Sequence, residues 1–460
     1  MNSITHIGTN FINNLTEYFF SGGDILTIEQ MEQDLLPMLK KAASQLASEY
    51  INNANMHLNE DKAGRKEVGY SIVRHGDERR VLTAFGELVY ERTYYAHKDG
   101  SHAYLVDMLI GLDKYDRISD GVSVALAEAA CEMSYAKSSN YTVDGAVSRQ
   151  TVMKRVRAGS AKKPEIKEKR KVAVLHIDAD EAHVKLLGGK KSIVPLISVY
   201  EGIKVNGKRS SCINVFHISE YGKNTDDLWA QALDEVMARY DLEDTQVYIH
   251  GDGAKWIQQG IYWFTGAIFV LDKYHKNKAI KVMIAGLDKE ARKLFGKEIQ
   301  NSLNDNDVRF FGELTESLVN QLPNRKDKII EAAQYLLNNI EAIHICKTDP
   351  EANNGGCTEP HVAHVLSRRL STLPMAWSQK TLKQLAPMLA GGGKVELNRQ
   401  KHNQLAQRML RRAARGARKA TKKYQFAPNP ESIGTLLPVS NGKVNQLYRT
   451  LNSISQGNFS

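Results

Sequence analysis

The spacing of apolar residues divides the chain into stretches of different period. Over 1–62, in FINNLTEYF and ILTIEQMEQDLLPMLKKAASQLASEYINN, apolar positions recur every three or four residues with few breakers, which predicts helices. Over 68–96 the period drops to two. There VGYSIVR, ERRVLTAF and LVYERTYY, separated by HGD and GE, predict a three-stranded meander. Helical spacing returns after Arg117 through DGVSVALAEAACEMSYAKSSNY. Strands follow in VAVLHIDADEAHVKLL, IVPLISVYEG and CINVFHIS, then a helix over 226–240, a strand VYIHGDG, a helix AKWIQQGIYW, a strand AIFVLD and a helix from His275. Antiparallel strands followed by alternating helix and strand predict a mixed α/β sheet. Residues 285–350 are helical in pattern throughout, and helix resumes at Glu359; no internal repeat is visible.

Length and composition narrow the class. At 460 residues the chain exceeds what one core organises, so two to four domains are expected. With 42% hydrophobic and 25% charged residues, wholesale disorder is excluded. No apolar run approaches the roughly 20 residues that span a bilayer. The start, MNSITHIGTNFINN, lacks the basic-then-apolar layout of a secretory signal. Cys131, Cys212, Cys346 and Cys357 are too few and too scattered for a disulfide framework, which fits a reducing cytoplasm.

Charge is more telling when resolved along the chain. The net +10 comprises +7 in residues 154–171 and +11 in residues 391–460, which leaves −8 on the other 372 residues. An acidic body with a basic linker and a basic tail points to nucleic acid, because each phosphate neutralised by Lys or Arg releases counterions. The linker follows a helix-turn-helix pattern over 134–157. Gly145 makes the turn, Ser148 is the expected N-cap, and Val147, Val152 and Val156 share one face. Arg149, Gln150, Lys154 and Arg155 fall on the exposed side, where a second helix would meet base edges in the major groove. An ordinary αα-hairpin has the same spacing.

Three acidic positions suggest chemistry. Asp178 and Asp180 are expected to close a strand Val172–Ile177, and Asp252 to close Val247–His250 in the context Gly251-Asp252-Gly253. Glu359 opens a helix after the loop Asn353-Asn-Gly-Gly-Cys-Thr. Carboxylates at strand ends converge at one sheet edge, and hard oxygen ligands suit Mg²⁺ or Mn²⁺. Two such ions about 3.5–4 Å apart activate a nucleophile and stabilise a leaving oxygen at phosphorus. Each acid alone has an ordinary explanation as a turn aspartate or a helix-start acid; together, beside two basic runs, they point to catalysis. His344, Cys346, Cys357, His361 and His364 have the residue types of a zinc site, but no C-x-x-C is present and a Gly/Asn-rich loop separates the cysteines. Tyr274, His275 and Lys278 lie just past the strand ending at Leu271-Asp272, and His275 is placed to polarise a phosphate or donate a proton.

The motifs TAFGELVYERTYY, YLVDMLIGLDKYDRIS, SYAKSS…VSRQTV, HIDADEAHV, HGDGAKWI, LDKYHKNK and GGCTEPHVAHVLSRRLSTLPMAWS cover most of the chain. In them it resembles the ISLre-type insertion-sequence transposases, a group distantly similar to Mutator-type transposases. The resemblance implies an RNase-H-like DDE core with a helical insertion at 285–352. It implies Asp180, Asp252 and Glu359 as ligands of two Mg²⁺ or Mn²⁺ ions, with Asp178 the alternative first acid. Asp272-x-x-His275 stands where the Mutator group has Cys-x-x-His, so a shared role rests on His275. Arg368 and Arg369, on the helix of Glu359, are candidate phosphate contacts. The helix-turn-helix would read terminal inverted repeats. The basic segment 399–423, with Arg411, Arg412, Arg415, Arg418 and Lys419, would add sequence-independent affinity. The expected organisation is an α+β region at 1–116, a DNA-binding region at 117–160 and a basic linker at 161–171. The core follows at 172–284 and 353–390 around the insertion, with a basic tail at 391–460. Partners implied are the element's own ends, target DNA and further copies of the chain on paired ends, in a bacterial cytoplasm or on the nucleoid. The rival expectations are a non-catalytic DNA-binding regulator and a structure-selective nuclease of the RNase-H class.

Overall fold

The computed structural model describes residues 3–21, 25–207, 209–372 and 375–397. The chain divides between Ser123 and Val124 into two compact units.

The first unit opens with α1 (Ser3–Phe20), α2 (Ile28–Glu60) and α3 (Lys62–Val68). Thr27 and Gln30 cap α2 reciprocally, side chain to backbone in both directions. Strands β1 (Tyr70–Thr83) and β2 (Gly86–His97) pair antiparallel, β3 (His102–Tyr104) joins β2, and α4 (Leu105–Leu109) follows. A three-stranded sheet was expected here, but its strands differ. HGD is no turn: β1 runs through it, and register shifts on either side of Arg74, with Gly76 at φ +80°, absorb the irregularity as a bulge. Leu58, Tyr95 and Val106 form the core, and the buried Asp107 is held by Arg79, Arg92 and the Tyr90 hydroxyl.

Helix α5 (Asp120–Glu132) spans the division, and α6 (Tyr135–Val143), α7 (Arg149–Ala158), β4 (Gly159–Ala161) and β5 (Arg170–Lys171) lead into the second unit's sheet. Next come β6 (Val174–Lys185), β7 (Lys191–Tyr200), β8 (Ile203–Asn206), β9 (Arg209–Cys212), β10 (Phe216–Ile218), α8 (Thr225–Arg239), β11 (Tyr240–Asp241), β12 (Gln246–Gly251), α9 (Lys255–Gln258) and β13 (Ile268–Leu271). The main sheet has the order β10-β7-β6-β12-β13. Its β10-β7-β6 half is antiparallel and its β6-β12-β13 half parallel. On β6, Leu175, Ile177 and Ala179 alternate inward against Trp229, Ala232 and Val236 of α8. The intervening His176, Asp178 and Asp180 therefore share the opposite face.

Three boundaries depart from expectation. Strand β6 does not stop at Ile177 but continues to Lys185, because β7 keeps pairing with it after its parallel neighbour β12 has ended. The first acids thus lie inside a strand, at the step where parallel pairing runs out. CINVFHIS splits into the end of the β8–β9 hairpin and the separate strand β10. AKWIQQGIYW forms only the short α9 and a 3₁₀ turn, Gln259–Tyr262, where Gly260 packs so closely on Trp229 that a Cβ would stand 2.5 Å from its ring.

Helices α10 (Lys273–Ile284), α11 (Lys289–Asn304), α12 (Val308–Gln321), α13 (Lys326–Asn338) and α14 (Ile340–Thr348) make the helical segment. It has its own core, with Met283, Ile299, Phe311, Leu318 and Leu336 buried. Helix α15 (Thr358–Val362) continues through a π-helical turn, Ala363–Ser367, into α16 (Arg368–Leu370). Finally α17 (Gln379–Ala390) is followed by β14 (Val395–Leu397), which pairs with β4. No described helix is long and apolar enough to cross a membrane.

Candidate functional site

Pairing sets His250 opposite Asp178 and Leu271 opposite Gly251. Continued past these pairs, the same register brings Asp180, Asp252 and Asp272 to one level on three neighbouring chain segments. Glu359 is brought to the same place by the first turn of α15. Burial, and the negative charges of Glu359, Asp252 and Glu181, push the Asp180 carboxyl up to about 6, against the pull of the Glu181 N–H at 2.7 Å. Asp252 is oriented locally, its Oδ1 accepting from the Ala254 N–H at 2.8 Å and its carbonyl from the Tyr335 hydroxyl of α13 at 2.7 Å. Gly253, at φ +87°, lies against Asn339. The helical segment therefore touches the site directly.

Glu359 is 44% exposed on its side chain, and its Oε1 lies 3.9 Å from His275 Nε2. The other ring nitrogen of His275 is buried with no hydrogen-bond partner. Asp272, set aside at the sequence level, is only 2% exposed. Its Oδ1 caps α10 through the Tyr274 N–H at 2.6 Å, while Oδ2 has no partner. Burial, with the charges of Asp178 and Asp180, raises it to about 6, offset in part by His275 and the Tyr274 hydrogen bond. One cue was present in the sequence: Leu271-Asp272 follows its strand as Gly251-Asp252 follows its own.

Asp178 and Asp180 occupy different surroundings. Asp178 is buried and fully engaged: Oδ1 accepts from the Tyr200 hydroxyl at 2.9 Å and the Gly356 N–H at 3.3 Å, Oδ2 accepts from the Cys357 N–H at 2.7 Å, and His361 Nδ1 lies 3.3 Å away. Despite its burial, His361, nearby His250 and the Tyr200 hydroxyl hold its carboxyl below the usual range. Behind it His176 and His250 hydrogen-bond at 3.0 Å, and burial lowers both to about 4. A Cβ on Gly355 would stand 2.2 Å from His250 Nε2 and 2.7 Å from His176 Nδ1. The Gly355-Gly356-Cys357 loop is thus seated on β6 and β12 by Asp178 and the histidine pair, and it delivers Glu359 two residues later. Neither Asp178's partners nor this histidine floor was visible in the sequence, since they join residues far apart in the chain.

The donor chemistry of Asp180, Asp252 and Glu359 suits a hard divalent cation, whose charge would relieve their mutual repulsion. Among the described residues, no three His, Cys, Asp or Glu groups already form a closed ligand set. The zinc candidates separate: His344 Nδ1 bonds the Asn304 carbonyl at 2.6 Å, Cys346 packs beside Tyr248 and Val270, and His364 lines a cavity with Cys131, His217 and Arg368. Cys357 and His361 instead face Cys212.

The DNA-binding candidates also divide. Ser148 caps α7 through the Thr151 N–H at 3.2 Å, and Asp144 and Gly145 make the turn at φ +50° and +77°. Val152 and Val156 are buried, Arg149, Gln150 and Lys154 are exposed, and Arg155 is half-buried. Arg157, not singled out earlier, ties α7 to α17 through Thr381 at 3.0 Å and Ser378 at 2.8 Å. Arg368 is exposed and pairs with Glu132 at 2.8 Å. Arg369 corrects the expectation of a phosphate contact. It is 7% exposed, donates to the Ala130 carbonyl at 2.7 Å and lies over Trp377, so its guanidinium is committed to the interior. Arg411, Arg412, Arg415, Arg418 and Lys419, with the rest of the basic tail from 398 onward, lie outside the described residues.

Fold and site together define a mixed α/β protein with a carboxylate cluster where the parallel half of its sheet ends. Residues 22–402 match the uncharacterised protein family UPF0236, and the chain belongs to that family. A UPF0236 protein of Caldanaerobacter subterraneus subsp. tengcongensis, whose name joins four loci, is 32% identical over 97% of this chain and 96% of its own length. Another from the same organism, whose name joins eleven loci, is 33% identical over 92% of this chain and 91% of its own.

Proposed function

We propose that the chain is a DNA transposase of the ISLre type, with an RNase-H-like core that cleaves and rejoins the ends of its own element. The observation that carries this reading is the convergence of Asp180, Asp252 and Glu359, from three separate elements, in a field that holds the Asp180 carboxyl near 6. A mixed five-stranded sheet with acids on its central strand and just past the end of its parallel neighbour supports such a core. The exposed Arg149 and Gln150 at the start of α7, with Lys154 further along it, support recognition of inverted repeats. A relative whose name joins eleven loci adds weight, because a gene that moves itself accumulates copies.

Asp180, Asp252 and Glu359 would hold Mg²⁺ or Mn²⁺, which when bound activates water or a 3′-hydroxyl and neutralises charge at phosphorus. The chain's own contribution is placement. Asp178 and the neutral His176–His250 pair seat the loop that presents Glu359, Tyr335 fixes the Asp252 turn, and Trp256 Nε1 holds the Glu181 side chain at 3.1 Å. His275 stands beside Glu359 with Nε2 toward the carboxylate, placed to donate a hydrogen bond to a phosphate oxygen of the reacting strand.

The test uses purified full-length protein, Mn²⁺ or Mg²⁺, and DNA carrying the element's ends. Nicking and joining of the cut 3′ end to a target is expected, and Asp252→Ala should keep end binding and lose cleavage. Cleavage without joining would favour a nuclease. Absence of both would remove the catalytic reading. It would leave a DNA-binding regulator, which the exposed α7 residues support without any metal.

A further inference from the structure

Two cysteines far apart in sequence meet beside the loop that presents Glu359. Cys212 ends β9 and Cys357 immediately precedes α15. The Cys357 N–H donates to Asp178 Oδ2 at 2.7 Å, the carboxylate that also stands beside His361. Cys212 Sγ also lies 3.5 Å from His361 Nε2, and His361 Nδ1 lies 3.3 Å from Asp178 Oδ2, so imidazole and carboxylate keep the Cys212 sulfur in place against Cys357. Both cysteines are half-buried, within reach of a small oxidant. The other two are placed differently: Cys131 is buried with its thiol on the Ala127 carbonyl, and Cys346 packs beside Tyr248 and Val270. Cytoplasmic disulfides, where they form, are mostly transient or redox-sensing.

We propose that Cys212 and Cys357 are a modification site that takes a hydroperoxide and forms a reversible disulfide, clamping the β8–β9 hairpin to the first turn of α15. The Cys357 sulfur attacks the terminal peroxide oxygen, the O–O bond breaks, and the alcohol (water, from hydrogen peroxide) leaves with the thiol proton. The Cys212 sulfur then attacks the sulfenic sulfur, the S–O bond breaks, and hydroxide leaves with the second thiol proton as water. Two thiols lose two protons and two electrons, and the peroxide, taking up both, is reduced to the alcohol and water. An S–S bond of about 2.05 Å is much shorter than a thiol–thiol contact, so its formation drags Cys357, whose N–H is held by Asp178. Glu359 moves with it. The consequence for Glu359 rests on the metal-site reading above; the disulfide itself does not.

The experiment treats full-length protein with hydrogen peroxide and follows thiol titration, peptide mass mapping and Mn²⁺ binding. Titratable thiols should fall from the four present to two. A peptide joining Cys212 to Cys357 should appear and revert with dithiothreitol. Cys212→Ser should give no cross-link, whereas Cys346→Ser should leave it intact. Mn²⁺ affinity should drop at least tenfold on oxidation of the wild type and stay constant in Cys212→Ser. Four free thiols after peroxide, a cross-link between other cysteines, or a zinc ion released on thiol blocking would each overturn the site. A disulfide that leaves Mn²⁺ affinity unchanged would overturn the clamp. If neither form binds Mn²⁺ and the disulfide still forms, the modification site stands and the metal-site reading falls.

Discussion

Replacing Asp180 with asparagine should make the metal-free protein more stable while abolishing the strand cleavage proposed for it. The Asp180 carboxyl is held near 6 against an ordinary 3.8, by burial first and then by Glu359, Asp252 and Glu181. Full conversion of that difference is about 3 kcal/mol of unfavourable charging. Half-burial beside solvent reduces the expected figure to about 1–2 kcal/mol. The sign follows from proton linkage. Between 3.8 and about 6 the folded chain keeps a proton that the unfolded chain has lost, so stability falls as pH rises through this interval, and the penalty is complete above it. Asp180→Asn removes the penalty and should therefore gain its 1–2 kcal/mol near pH 8 and much less near pH 4.5. Urea unfolding read by tryptophan fluorescence is a suitable assay, because all four tryptophans (Trp229, Trp256, Trp263 and Trp377) lie in the second unit. On the proposed metal-site reading, saturating Mg²⁺ should reverse the ranking, by binding the folded wild type and stabilising it by mass action. A variant no more stable than wild type near pH 8, or equally stabilised at both pH values, would show that Asp180 does not sit in an uncompensated acidic field.

Asp178 should behave in the opposite sense. Its depressed carboxyl contributes stability above the ordinary 3.8 that is lost as pH falls through the folded value, and Asp178→Asn, which sets an amide against the Cys357 N–H, should cost about 3 kcal/mol in the same unfolding assay. Gly355→Ala should cost about 1–3 kcal/mol by overpacking on the buried His176–His250 pair. The exposed helical Gly312, where a Cβ meets nothing within 4 Å, should instead gain up to about 1 kcal/mol as alanine. Arg369→Ala should lose about 2 kcal/mol of stability by stranding the Ala130 carbonyl, with no change in the salt dependence of the proposed DNA binding. Arg149→Ala and Lys154→Ala should each flatten the salt slope by about 0.9 if they contact phosphate, with stability unchanged, as fluorescence anisotropy across a salt series would measure.

Much of this protein was legible from local pattern. The sheet strands, helix α8, the helical segment from 285 and the Ser148 cap follow from period and punctuation, because alternation and capping act over a few residues. The same locality explains the failures. HGD has turn composition, yet β1 passes through it because β2 supplies partners on both sides of the bulge. VAVLHI has a natural end at Ile177, yet the strand continues because β7 stays paired after β12 has stopped. Arg369 looks like any basic residue after an acidic helix start, and only the packing of α5 and Trp377 around it shows where its charge goes.

By itself, then, the sequence determined which residue types are available and roughly where: acids after strands, glycines before Glu359, a basic run behind a capped helix. The tertiary structure alone decided which of two acids two residues apart is an anchor and which faces its fellows. Asp178 and Asp180 share a strand face, but the loop from Gly355 descends on the first and closes over it with two N–H groups, joined by the Tyr200 hydroxyl of β7, while the second is left beside Asp252 and Glu359. That division depends on hydrogen bonds and charges between segments remote in the chain, and no local pattern encodes it.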